Sequence, residues 1–137
     1  MKKLLLPLVL ICFILSPTET KAALPVKLLQ EECPELQKIK NPSSVQELQA
    51  KLQVVVPSMM AQDPNSKSWR VLSTTKLNRS SPYYKSAVKA CNKETADQSY
   101  LIDVLVTKKS TNFPLHIHLL ATNSVKKGWL IWGLTSY

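Results

Sequence analysis

Glycine is nearly missing from this sequence. Only Gly128 and Gly133 occur in 137 residues, where ordinary usage would supply about ten. A loop that cradles phosphate with its backbone amides needs several glycines in close succession. Walker, Rossmann and kinase-type nucleotide sites are therefore excluded, and so is a G-x-S-x-G nucleophile elbow. Acidic residues are also scarce beyond position 64, where only Glu94, Asp97 and Asp103 occur, and a pair of carboxylates for glycoside hydrolysis is poorly supplied. No apolar run reaches the roughly 20 residues of a spanning helix. What remains is 45% hydrophobic and 20% charged, a globular composition that fits neither a disordered tail nor a multi-span membrane protein.

The longest apolar run, Leu4 to Leu15, is interrupted only by Pro7 and follows Met1-Lys2-Lys3. A basic start, a short apolar stretch and a polar exit make a bacterial-type signal peptide, read as residues 1–22. Cleavage after Ala22 puts Thr20 and Ala22 at the small-residue positions and starts the mature chain at Ala23. Cys12 lies inside the apolar run after Ile11, where a lipobox requires a small residue, so lipidation is rejected. Residues 23–137 then form a single exported α+β domain, secreted or associated with the cell envelope, with no transmembrane segment after cleavage.

Two cysteines survive cleavage, Cys33 and Cys91. An exported chain with exactly two is a disulfide candidate, and closing that loop would stabilise the fold by about 4 kcal/mol in the chain-entropy model.

The spacing along the chain predicts helix, strand, helix and then three strands. Leu28, Leu29, Glu32, Cys33 and Leu36 suggest short helical turns before and around Pro34, and Asn41-Pro42-Ser43 reads as a turn. Ser44-Val45-Gln46-Glu47 has capping-box form, and Val45, Leu48, Leu52, Val55 and Met59 continue one apolar face toward a kink or stop at Pro57. Residues 68–75 alternate as a strand, with Trp69, Val71 and Ser73 on one side and Arg70, Leu72 and Thr74 on the other. Ser81-Pro82 opens a short helix whose face is Tyr84, Ala87, Val88 and Cys91. Strands follow at 100–107, 115–121 and 129–134, with short links that favour antiparallel neighbours. The expected architecture is a curved antiparallel sheet of about four strands with helices packed on one face, cystatin-like or NTF2-like by analogy of element order. Trp129 and Trp132 fall on opposite strand faces, one in the core and the other exposed.

Tyr83-Tyr84, Ala87 and Cys91, then Ala96-Asp97-Gln98-Ser99-Tyr100, and finally Lys127-Gly128-Trp129 with Ile131-Trp132 form a spacing that resembles a group of uncharacterised exported or envelope-anchored proteins of spore-forming Gram-positive bacteria. The resemblance runs from about residue 71 to the end. It departs at Asn92, where those proteins often carry Gly, and at Tyr100, where they often carry Trp. The motif residues are aromatic and structural, so the resemblance implies a shared fold more than a shared chemistry.

Charge is uneven. Residues 65–137 carry nine Lys and two Arg against three acids, a net of +8 within a whole-chain charge of +9. Such an excess attracts anionic polymers without specifying which, and it selects no particular nucleic acid. Steps of four place Lys85, Lys89 and Lys93 in one row if the helix after Pro82 continues that far. The expected partner is an anionic cell-wall polymer or another envelope protein.

His116-Ile117-His118 is the sharpest chemical pattern, because residues two apart on a strand share a face and can offer two imidazoles to one metal. Asp103 on the preceding strand supplies a third ligand if the register agrees, and open coordination would suit zinc or copper. No local motif marks a catalytic nucleophile. Gln53-Val54-Val55-Val56-Pro57 echoes the inhibitory hairpin of cystatins but continues the helical spacing from Val45. The leading expectation is a non-enzymatic binding domain without cofactor. The alternatives are a metal-dependent hydrolase centred on His116 and His118, or a cystatin-like protease inhibitor.

Overall fold

A computed structural model describes residues 25–36 and 44–136. The expected signal peptide, residues 1–22, and the turn expected at Asn41-Pro42-Ser43 lie outside the described residues. In chain order the elements are β1 (Lys27–Leu28), α1 (Val45–Ala61), β2 (Ser66–Lys76), α2 (Pro82–Ala90), α3 (Lys93–Asp97), β3 (Tyr100–Lys108), β4 (Leu115–Ser124) and β5 (Gly128–Ser136). They build one five-stranded sheet in the order β1-β5-β4-β3-β2, with every pairing antiparallel. The expected four strands are present. The fifth is β1, two residues long, which lies against Gly133 and Leu134 of β5. After it residues 29–32 bend without forming the short helical turns expected there, and Pro34 lacks the amide that a continuing turn requires. Leu36 instead bridges to Ser124.

α1 starts where the capping pattern puts it. The Ser44 side chain accepts the amide of Glu47, which satisfies one of the first-turn donors. Leu48, Leu52 and Val56 are its buried residues, while Val45 is exposed and Val55 and Met59 are partly so. Pro57 does not end the helix, which runs on to Ala61. The missing amide leaves the carbonyl of Gln53 without its usual donor, and both residues lie on the exposed side, where water can serve.

The helices do not share one face of the sheet. α1 packs on Ile102, Val104 and Val106 of β3, Leu119 and Ala121 of β4, and Trp129 and Ile131 of β5. Tyr83 and Ala87 of α2 and Ala96 of α3 form a second cluster with Leu77, Leu120 and Trp132, against which Leu101 also packs. Leu120 and Leu101 alternate with the α1-facing residues, so the second layer covers the opposite face. Both tryptophans are consequently buried, Trp129 under α1 and Trp132 under α2 and α3. The one-sided arrangement expected by analogy misplaced α2 because the strand-forming residues after it carry apolar side chains on both faces. A register shift between Leu120 and Ala121 helps turn Trp132 toward the second layer.

Each glycine has a definite task. Gly128 takes φ +63° in the β4–β5 turn, a left-handed conformation that costs glycine little. At Gly133 a side-chain carbon would come within 2.7 Å of Val26 Cγ1. The N-terminal segment can approach β5 only because that carbon is missing.

Candidate functional site

The β3–β4 register pairs Asp103 directly with His118 and Leu105 with His116. All three chemistry-bearing side chains therefore meet on the face that α2 partly covers. Asp103 Oδ1 lies 3.0 Å from His116 Nδ1 and 3.8 Å from His118 Nε2. Tyr83 of α2 stacks on the His118 ring, with centroids 4.5 Å apart and planes 28° apart. On the other flank, Thr135 of β5 sits opposite His118 in the register. His118 is buried and His116 is half exposed. Burial pushes the His118 pKa below its ordinary value of 6.5; the charge of Asp103 opposes that shift and His116 adds to it. His118 is accordingly neutral at pH 7, a ring held between Tyr83 and the sheet.

The expected convergence of Asp103, His116 and His118 is thus observed. Among the described residues no group of three or more His, Cys, Asp and Glu side chains is disposed to hold a metal ion. The Asp103 carboxylate is committed to hydrogen bonding with His116.

A second polar cluster joins Tyr84 and Asp97 of the aromatic pattern to Arg79, which no sequence pattern singled out. Arg79 donates from Nε and Nη2 to the two oxygens of Asp97, each at 2.9 Å, and the Tyr84 hydroxyl donates to Asp97 Oδ1 at 2.8 Å. The paired guanidinium, then the tyrosine, hold the Asp97 pKa below the usual carboxylate range. The same contact with Asp97, together with desolvation, raises the Tyr84 pKa. Deeper in, Trp132 Nε1 donates to Ser99 Oγ at 3.0 Å, and Ser99 Oγ donates to the carbonyl of Thr95 at 2.6 Å. This chain of bonds fastens β5 to the end of α3. The separation of Ser99 and Trp132 along the chain gave no signal of it, because the two meet only once β5 is paired into the sheet.

Cys33 and Cys91 are bridged, with their Cα atoms 5.6 Å apart. The bond ties the N-terminal segment to the C-terminal end of α2. It also bears on the lysine row. α2 ends at Ala90, Cys91 leaves helical geometry, and Asn92 caps a new helix by accepting the Thr95 amide. Lys85 and Lys89 share α2, but Lys93 opens α3, so the single helical row of three is not formed. All three side chains are exposed. Gln53–Pro57, the segment likened to an inhibitory hairpin, lies within α1.

A cleft of about 460 Å³ lies where residues Gln30–Glu35 approach the β4–β5 turn, lined by Glu31, Glu35, Lys126 and Lys127 among others. Lys126 reaches Glu35 at 3.1 Å within it. No helix among the described residues is long and apolar enough to cross a membrane. No family model, curated protein or solved structure matches this chain.

Proposed function

We propose that this chain is a small exported, non-enzymatic domain that binds an anionic partner at or outside the bacterial cell envelope. One observation carries the reading. Of the eleven basic side chains in residues 65–137, only Arg79, Lys108 and Lys126 form carboxylate ion pairs among the described residues. The other eight leave a large uncompensated positive charge on a domain of this size, which draws anions over a Debye length. The Cys33–Cys91 bridge supports an oxidising location. The carboxylates of the C-terminal half that face other side chains are engaged internally, Asp97 by Arg79 and Tyr84 and Asp103 by His116.

The test is retention of the oxidised mature chain on immobilised teichoic acid or heparin across a salt series. Retention that falls steeply with salt is expected, and absence of retention at the lowest salt overturns the reading. A variant with Lys85, Lys89 and Lys93 changed to Gln should elute earlier. Metal analysis addresses the enzymatic alternative: stoichiometric zinc or copper that is lost in His116→Ala would replace the binding domain with a metal-dependent hydrolase.

A further inference from the structure

We infer that the outer edge of β2, with the groove between it and α1, receives an extended acidic peptide segment as an added strand. This inference rests on the anionic-partner reading and names the partner's chemistry. β2 is eleven residues long and, among the described residues, terminates the sheet with β3 on one side only. Alternate backbone N–H and C=O groups along such a strand point away from its neighbour and are available to a further strand. The opposite edge, β1, offers only two residues.

Beside the edge runs a groove of about 380 Å³. Its floor is Leu52 of α1 and Val71 of β2, and Gln49, Gln53, Leu72 and Thr74 stand around it. A β-bulge between Val71 and Ser73 breaks the alternation expected for this strand. Leu72 is turned out, 41% exposed, and Thr74 shares the α1-facing side with Val71. The Thr74 hydroxyl has no hydrogen-bond partner among the described residues. A strand laid along β2 would send every second side chain toward this groove, while its backbone bonds supplied affinity independent of sequence.

Charge selects the occupant. Lys67, Arg70 and Lys76 are exposed along β2, with Lys76 Nζ lying 4.9 Å over the Tyr100 ring, and none forms an ion pair among the described residues. Neither β2 nor the residues lining the groove include an acid. A second copy of the chain, docking β2 on β2, would set these cations against their own kind. A partner segment that alternates acidic residues with small apolar ones meets both the cations and the groove.

The experiment uses the oxidised mature protein and a fluorescent peptide of about seven residues alternating Glu and Val. Binding is read by anisotropy and by slowed hydrogen exchange of the β2 amides. The expected result is salt-sensitive binding that weakens about tenfold or more when alternate peptide amides are N-methylated, a change that removes backbone donors and leaves the charge intact. Leu72→Glu, at an exposed position with unchanged circular dichroism, and the triple change of Lys67, Arg70 and Lys76 to Gln should each weaken binding similarly. Equal binding of the methylated peptide overturns strand addition. So does self-association of the protein that Leu72→Glu abolishes, which would make a second copy the occupant. Retention on teichoic acid without peptide binding overturns this inference alone, and failure of both overturns the anionic-partner reading with it.

Discussion

His118 shows how a single residue's surroundings set its chemistry. Desolvation between Tyr83 and the sheet keeps its folded-state pKa below the ordinary 6.5. As pH falls through about 6.5 the unfolded chain takes up the proton first, so stability falls with pH and levels off only below the folded-state pKa. Thermal melts from pH 7.5 to 4.5 should show this loss in the wild type. In His118→Phe, which keeps a ring against Tyr83 but cannot titrate, the decline should be shallower, and equal slopes would reject the assignment. Trp132 is the other residue on which much depends, since it is fully buried and bonded to Ser99. Trp132→Phe loses that bond and part of the ring volume, an expected cost of about 2 kcal/mol in urea unfolding.

At the scale of elements, α1 carries a contradiction within its own sequence. Its capping residue and its Leu48, Leu52 and Val56 stripe favour a helix, while Pro57 opposes one four residues from its end. Tertiary packing prevails, because Val56 is buried against the sheet immediately before the proline. Pro57→Ala should therefore stabilise the protein by about 2 kcal/mol, the helix-propensity gain being partly offset by a freer unfolded chain. A lowered denaturation midpoint would mean that the proline serves the helix ending at Ala61. β2 presents the complementary case of a strand whose edge is protected. Its lysines, arginine and bulge discourage pairing with like strands, and the same cations make it selective for an acidic one.

For the molecule as a whole, the Cys33–Cys91 bridge links the N-terminal segment, the second helical layer and, through β1, the edge of the sheet next to β5. Thiol titration of the denatured, unreduced mature chain should find no free thiol. Reduction should cost about 4 kcal/mol by the loop-closure estimate and lower the melting temperature. Unchanged stability on reduction would show that the Val26 and Leu28 contacts with the second cluster hold the segment without it.

Local patterns along the chain were enough to determine much of this protein. Ser44 and Ser81-Pro82 mark helix starts because capping is a matter of a few adjacent residues. The three C-terminal strands and their antiparallel neighbours follow from β-rich runs joined by short links. Cysteine count and the expectation of export indicated the bridge, and two-residue spacing put His116 and His118 on one face. Tertiary structure alone decided which face of the sheet each helix covers, since a strand apolar on both sides does not say which layer meets which side. It alone decided the bulge at Leu72, which reverses the faces of Ser73 and Thr74 through pairing with a strand some thirty residues away. The break between α2 and α3 that separates Lys93 from Lys85 and Lys89 falls at Cys91, which leaves helical geometry, and at Asn92, which caps the next helix. The Asp97 cluster depends on how α2 and α3 pack together, and the Ser99 bond to Trp132 on β5 being paired into the sheet, so neither is visible in local spacing.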